Sequence, residues 1–298
     1  MRIPLVRVAG VVLPLAVSLA ACKKKTEEAA PEGAPAPNDA AAPDVGSPTI
    51  EPATTGDAVP APAADAGSGT TITIGGSDDD ETRQARAGLD AGIALAKQRQ
   101  CGRAIAEGFD KVLAFFERRH DPARTKVRCG RTSVAGLGAG LEAALGGGNV
   151  TVLGPEWCDA LFYKAYCLTE LGRVPEAETL LVRACEMMPG DPMYLAELGD
   201  AQQRQGKSAA ALATFERALA AATALAAEPD AAARSPAGRP PVQWQTRALR
   251  GIGYALVELG RLEDARATYR RALDLDPNDA TAKKELDYVN GRLGGATP

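Results

Sequence analysis

Histidine and aromatic residues are scarce in this chain of 298 residues. It holds one histidine, His120, and the aromatic residues make up 4% of the sequence. No Cys-x-x-Cys motif is present, so zinc or thioredoxin-like chemistry has no local signature. A Cys–His nucleophile pair would need His120, which lies in a charged Arg-Arg-His-Asp-Pro segment typical of a surface turn. We therefore expect no enzyme, no metal and no cofactor.

Basic stripes and phosphate loops are absent too. The 34 basic and 38 acidic residues give a net charge of −4, and no basic stripe with interleaved aromatics appears, which argues against nucleic-acid binding. The glycine-rich segment 136–149 lacks the Lys-Ser/Thr pair that completes a phosphate loop. It predicts a flexible or close-packed helix, and we expect no small-molecule substrate.

Residues 23–80 contain no Leu, Met, Phe, Tyr or Trp and are rich in Ala and Pro. Such a segment cannot bury enough apolar surface to offset the entropy of ordering it. Residues 22–80 are therefore predicted to form a disordered tether. The short stretch 71–75 alternates like a strand, and we assign it to the tether as a segment able to cling to the domain.

The first 21 residues have the pattern of a signal peptide. Arg2 and Arg7 precede an apolar run, Val8–Ala21, which is too short for a membrane span of about 20 residues. The run ends in Leu-Ala-Ala-Cys at Cys22, which resembles the bacterial lipobox. That resemblance implies removal of residues 1–21, acylation of Cys22 with palmitate or similar chains, and an anchor that is the protein's sole membrane contact. An ordinary secretory signal with a chance cysteine is the alternative.

The residue after Cys22 is Lys23, not Asp. In Gram-negative lipoproteins an Asp at this place favours retention in the inner membrane. The resemblance therefore implies an outer-membrane lipoprotein that faces the periplasm, if the organism is Gram-negative.

One pattern of small, large and helix-breaking residues occurs three times in the second half of the chain. The sets are Gly172, Ala177, Leu181, Ala184 and Pro189; Gly206, Ala211, Phe215 and Ala218; and Gly260, Ala265, Tyr269, Ala272 and Pro277. The first two sets are 34 residues apart, and an insertion of 20 residues, Ala224–Gln243, precedes the third. Helical spacing with a glycine turn predicts antiparallel helical hairpins.

A period of 34 residues with two helices per unit is that of tetratricopeptide repeats, and the sequence resembles this family over 158–279. The resemblance implies an all-α fold, a right-handed superhelix of antiparallel helical hairpins. We divide residues 150–298 into repeats at 158–191, 192–225 and 246–279 and a capping helix at 280–293. Residues 81–149 are predicted to be a degenerate helical region, with helices near 81–99, 102–119 and 132–145 and Ala104 at a central small position.

In this family the second, fifth, ninth and twelfth residues of each unit line the concave face. Large or polar side chains at these positions are the candidate partner-binding residues: Asp159, Phe162, Tyr166, Met193, Asp200, Gln203, Arg247, Arg250 and Tyr254. Aromatic residues and arginine are the types that anchor interfaces. Arg247 and Arg250 are candidates for gripping a carboxylate of the partner.

Five cysteines follow Cys22, and an exported protein can oxidise them. Cys158 opens the first helix of its hairpin and Cys185 closes the second, so we predict that this pair is bonded. Cys101 and Cys129 form a second candidate pair across an irregular segment, which leaves Cys167 as a free thiol. All five could instead be small buried side chains.

The sequence thus predicts a lipid-anchored periplasmic scaffold or adaptor that binds a protein or peptide in its concave groove, in envelope assembly. The alternative is a binder of peptidoglycan or of a cell-wall enzyme.

Replacing Cys22 by Ala is expected to release the protein from the membrane fraction, because the acylated sulfur is the predicted anchor. Fractionation of disrupted cells, with acyl labelling, measures this. A variant that stays with the membrane and keeps its label would contradict the lipobox.

Overall fold

The computed structural model describes residues 6–8, 11–13, 71–75, 80–120, 125–145 and 149–295. Cys22 and most of the predicted tether lie outside the described residues, so lipidation stays a prediction.

The described chain is mainly helical. Its α-helices are α1 (Asp80–Lys97), α2 (Cys101–Arg103), α3 (Asp110–Arg119), α4 (Ser133–Leu145), α5 (Glu156–Glu170), α6 (Val174–Met187), α7 (Pro192–Arg204), α8 (Ser208–Ala226), α9 (Ala231–Arg234), α10 (Pro241–Glu258), α11 (Leu262–Leu275) and α12 (Ala280–Gly294). A π-helical segment, Ala104–Phe109, joins α2 to α3, and a 3₁₀ turn, Pro236–Gly238, precedes α10. Its strands are β1 (Val6–Val8), β2 (Val11–Leu13), β3 (Thr71–Ile74), β4 (Lys126–Cys129) and β5 (Val150–Leu153).

The predicted all-α array of hairpins is confirmed. Helices α5–α6, α7–α8 and α10–α11 are the three predicted units, and α12 packs on α11 as the predicted cap. The helices expected at 81–99, 102–119 and 132–145 are present. Helix α1 and the continuous helix from α2 to α3 form a further hairpin that packs on α5.

The hairpin turns share one geometry. Gly172, Gly206 and Gly260 have φ of 77°, 72° and 75°, a left-handed conformation that glycine adopts without strain. At the corresponding place between α1 and α2 stands Arg99, with φ of 60°. The Arg99 N–H donates to Ala96 O (2.9 Å) and the next N–H donates to Leu95 O (3.0 Å). The N–H groups of Gly172 and Arg173 make the same two bonds, to Thr169 O and Leu168 O. The first hairpin therefore has the same turn geometry as the others.

Each hairpin crosses where a small residue faces a large side chain. A Cβ on Gly253 would lie 2.5 Å from the Tyr269 ring, and one on Gly199 would lie 2.6 Å from the Phe215 ring. In the first hairpin Gly92 meets Phe109 in the same way. Phe109 comes five residues after the central Ala104, whereas Tyr269 comes four after Ala265, because the π-helical turn holds one extra residue.

A small sheet combines β3, which precedes the first hairpin, with β4 and β5, which lie between the first two hairpins, and the sequence analysis did not predict it. Strands β3, β5 and β4 are parallel neighbours, with Ile72 opposite Val150 and Val150 opposite Lys126. The tether assignment is therefore wrong for 71–75 and for Asp80, because burial of Ile72 in this sheet makes β3 part of the domain.

Helix α4 links β4 to β5 and covers the sheet. A Cβ on Gly136 would lie 2.7 Å from a Val152 methyl group, and one on Gly140 would lie 2.4 Å from another. Gly136 and Gly140 thus serve close packing, and the close-packed interpretation is confirmed for this part of the segment, whereas a Cβ on Gly138 would meet no atom within 4 Å.

Strands β1 and β2 form an antiparallel hairpin, and β1 runs parallel to β3 at the edge of the sheet. Both lie inside the predicted leader. Its removal stays a prediction, and the sheet of the processed chain would then consist of β3, β5 and β4.

Helix α8 is apolar and long enough, by composition, to cross a membrane. It packs against α7 and α10 and buries Phe215, Ala218 and Ala222. We therefore assign it to the array.

Replacing Gly253 by Ala is expected to lower the free energy of unfolding by about 1–3 kcal/mol, because the added methyl group overpacks the crossing. The matched control is Gly291→Ala in α12, where a Cβ meets no atom within 4 Å. That change is expected to stabilise the helix by up to about 1 kcal/mol. Denaturant unfolding measures both variants, and equal destabilisation of the two would contradict the proposed crossing.

Candidate functional site

The first helices of the hairpins share one face, and a pocket of about 320 Å³ lies on it. We call it the aromatic pocket. Among its lining residues are Ile93, Lys97, Arg99, Phe162, Tyr163, Tyr166, Met193, Glu197, Arg239, Trp244 and Arg247. They come from α1, α5, α7, α10 and the insertion before α10, so the hairpin stack itself builds the pocket.

Aromatic rings form the base and one rim of this pocket. Phe162 is buried and stacks on Tyr194 at 5.4 Å between ring centroids, which fixes its position. Trp244 is buried as well, and the Arg239 guanidinium lies 5.5 Å from its ring centroid. Tyr166 is 37% exposed at the rim. Large rings are therefore available to an incoming side chain.

The charge of the aromatic pocket is positive on balance. Lys97, Arg99 and Arg239 are exposed and make no ion pair within the described ranges. The acid that lines the pocket, Glu197, accepts from Arg247 at 2.9 Å. Burial raises the pKa of Glu197, and the charge of Arg247 opposes that shift. The free charges at this end are cations.

A second pocket, of about 400 Å³, continues along the same face. We call it the acidic pocket. Its lining residues are Asp200, Gln203, Arg204, Tyr254 and Glu258. Gln203 Oε1 is buried, and no described residue donates to it. Tyr254 is 47% exposed. Two carboxylates, those of Asp200 and Glu258, stand against the one guanidinium of Arg204 at this end.

Arg247 separates the two pockets. Its Nη2 donates to Glu197 in the aromatic pocket and to Asp200 in the acidic pocket, at 2.9 and 2.6 Å. Both bonds use Nη2, and the residue lies on the predicted face. Its predicted grip of a partner carboxylate stays a prediction.

Seven of the nine candidate groove residues line these pockets, and two do not. Phe162, Tyr166, Met193 and Arg247 line the aromatic pocket, and Asp200, Gln203 and Tyr254 line the acidic pocket. Their role in binding stays a prediction.

Arg250 lines neither pocket, and its predicted role in the groove stays a prediction. It pairs with Asp279, whose other oxygen accepts from Ala282 N at 3.0 Å and caps α12. Its charge holds the capping helix in place.

Asp159 is corrected, because it belongs to a network behind the groove. It accepts from Tyr194 Oη at 2.7 Å and from Arg131 at 3.2 Å. Arg131 also donates to Asp191 at 2.6 Å, and Asp191 caps α7 through the N–H groups of Met193 and Tyr194. Burial lowers the pKa of Arg131, but Asp191, Tyr194 and Asp159 raise it above its usual range. The network therefore holds a stable charge and has no free group for a partner.

The predicted disulfide pairs are wrong. Cys158 is bonded to Cys129, with 6.6 Å between the Cα atoms, whereas Cys185 is a buried free thiol. Strand β4 lies beside β5, which leads directly into α5, so the end of β4 meets the first turn of α5. This bond also excludes the pairing of Cys101 with Cys129.

Sequence reasoning missed Ile93, Lys97, Arg99, Arg239 and Trp244. Ile93 holds the ninth position of a unit counted back from Ala104, the position that Tyr166 and Tyr254 hold in theirs. Applying the repeat register to the first hairpin would have found it. Arg239 and Trp244 lie at the insertion, outside any repeat register.

Comparison with known proteins supports the repeat assignment. The family model described as TPR repeat matches residues 253–294, within α10, α11 and α12. No curated protein sequence matches the chain.

Several solved structures are similar to this chain. PilF of Pseudomonas aeruginosa is 11% identical, with 73% of this chain and 72% of that chain covered and a TM-score of 0.49. MamA 41-end from Desulfovibrio magneticus RS-1 is 16% identical, with 73% and 88% covered and a TM-score of 0.46. The first TPR domain of human RPAP3 is 24% identical, with 48% and 96% covered and a TM-score of 0.40.

The family match covers most of the last unit and its cap, and the other hairpins repeat its turn geometry. Residues 253–294 therefore match the tetratricopeptide-repeat family, and the described hairpins share the tetratricopeptide-repeat fold.

Proposed function

We propose that this protein is an interaction scaffold that holds a segment of a partner protein along the face formed by the aromatic and acidic pockets. One observation carries the proposal. Two pockets of opposite charge adjoin on the face built by successive first helices, and each has a tyrosine at its surface. Such a face suits an extended or helical peptide better than a compact ligand.

The exposed tyrosines support a protein partner. Tyr166 and Tyr254 are 37% and 47% exposed. Tyrosine combines a large apolar ring with a hydroxyl group, and interfaces use it as an anchor. The two rings stand one at each pocket, so one peptide could contact both.

The charges suggest the direction of the bound segment. The free cations Lys97, Arg99 and Arg239 favour carboxylates or a C-terminus at the aromatic pocket. Asp200 and Glu258 favour a basic or N–H donor group at the acidic pocket. A partner segment with an acidic, apolar end and a basic end fits both pockets.

We further propose that the scaffold acts at the periplasmic face of the outer membrane, in envelope assembly. The predicted leader and lipobox support this location. A binder of peptidoglycan or of a cell-wall enzyme differs from this proposal in the chemistry of its ligand.

Site-specific photo-cross-linking tests the proposal. A photoreactive phenylalanine analogue replaces Tyr166 or Tyr254 in the full-length protein, and Tyr288 on α12, which is 49% exposed, serves as the matched control. Discrete protein adducts from the two groove positions, absent at the control, are expected. Adducts to glycan or to no protein would reject a protein partner, and equal adducts at the control would place the interface elsewhere.

Tyr166→Ala and Tyr254→Ala are each expected to weaken binding of the captured partner by about 1–3 kcal/mol, because each removes an anchor ring. Tyr288→Ala is expected to leave affinity unchanged. Titration of the purified partner measures the dissociation constants, and circular dichroism checks the fold. Wild-type affinity in both groove variants would refute the proposed anchors.

Lys97→Glu is expected to weaken binding and to reduce its salt dependence, because it reverses a free charge at the aromatic pocket. Salt screens such surface charges over about 10 Å at 0.1 M. The control is Lys283→Glu, an exposed residue of α12 outside both pockets. Association rates at two salt concentrations distinguish the variants, and an equal response would exclude charge steering by the pocket.

A further inference from the structure

Two buried cysteines face each other behind the aromatic pocket. Cys101 is the first residue of α2, and Cys167 lies in the last turn of α5. Both are free thiols, and their exposed fractions are 5% and 0%. Both belong to one buried cluster, in which the Cys167 thiol interacts with Cys101. Helix α2 packs on α5, with Cα atoms within 8 Å.

Ordinary core packing accounts for burial, but it does not require two thiols to meet. Cys185, by contrast, is a buried free thiol that no described cysteine faces. The two facing thiols come from segments far apart in the sequence, joined only by the packing of the first hairpin on α5. A disulfide requires this kind of close approach across two elements.

We propose that Cys101 and Cys167 form a second disulfide when the chain meets an oxidising environment. Each thiol loses its proton, and the pair gives two electrons to an external disulfide of the glutathione class, which is reduced to two thiols. The exchange passes through a mixed disulfide with one of the two cysteines. The existing Cys129–Cys158 bond shows that the fold already accommodates an oxidised pair nearby.

The bond would fix one wall of the groove. Arg99 precedes Cys101 by two residues, and Tyr166 precedes Cys167 directly; both line the aromatic pocket. A covalent link here joins the strained turn at Arg99 to α5. The wall of the pocket would then be held by a disulfide as well as by packing.

Formation is expected during folding, before the site is fully packed. Burial raises the pKa of Cys167 well above its ordinary value, and the interaction with Cys101 adds to this shift. The thiolate is the reacting species, so the closed native site reacts slowly. Cys185, whose pKa burial raises to about 12, stays a thiol.

Peptide mapping of the full-length chain tests the inference. The chain is folded in a buffer of reduced and oxidised glutathione, then denatured without reductant, alkylated and cut with trypsin. The expected products are peptide 100–103 joined to 165–173, and 129–131 joined to 132–164, with the label on Cys185. Alkylation of both Cys101 and Cys167, or a bond of either to Cys185, would overturn the proposal.

Matched variants make the result specific. Cys167→Ser is expected to leave Cys101 open to alkylation, whereas Cys185→Ser is expected to leave the 100–103 to 165–173 link intact. If Cys185→Ser abolishes the link, the pairing is not the one proposed. Titrating the glutathione ratio gives a readout that does not depend on any partner, so failure here leaves the binding proposal untouched.

Discussion

At three of the four hairpin crossings of the described chain a glycine contacts a large ring, and this contact is the constraint on which the array depends. Gly199, Gly253 and Gly92 each leave no room for a methyl group beside Phe215, Tyr269 and Phe109. This close approach sets the separation of the two helices in a hairpin, and the left-handed turn sets their direction. Once these are fixed, the first helices of successive hairpins must share a face, and the pockets follow from that.

The inserted sheet is held to this array by covalent and ionic contacts. The Cys129–Cys158 bond joins the end of β4 to α5, and two residues later Arg131 reaches Asp159 and Asp191. Taking these charges from water is costly unless they are paired, so removing one partner would leave a buried charge alone. Because Asp191 also caps α7, one network links the sheet, the first predicted unit and the second. Sequence reasoning had placed Asp159 in the groove because its repeat position is right, but Arg131 and Tyr194 bind its carboxylate behind the groove.

Features set by residues close together in the sequence could be predicted, whereas features set by distant segments could not. The hairpins were predictable because their signals, such as Gly260, Ala265 and Tyr269, lie within a few turns of one another. The strands were not, because a parallel pair is formed by segments far apart and each strand here has four residues or fewer. The disulfide prediction was wrong for the same reason, because the partner of Cys158 lies on β4 and not on the hairpin that contains Cys158. The residues that face the groove were predictable from the repeat register. Whether each charged residue there is paired within the chain was not.

Whether a charged residue is already paired within the chain decides whether it can act on a partner. Arg247 and Arg250 were the arginines that the register favoured, yet both are held by carboxylates of the chain itself. The free cations come from Lys97, Arg99 and Arg239, in the degenerate first hairpin and the insertion. Departures from the repeat therefore supply the charge at one end of the groove, whereas regular repeat positions supply Asp200 and Tyr254 at the other. A regular array would repeat its surface from unit to unit, and the two irregular segments are what give this groove two chemically different ends.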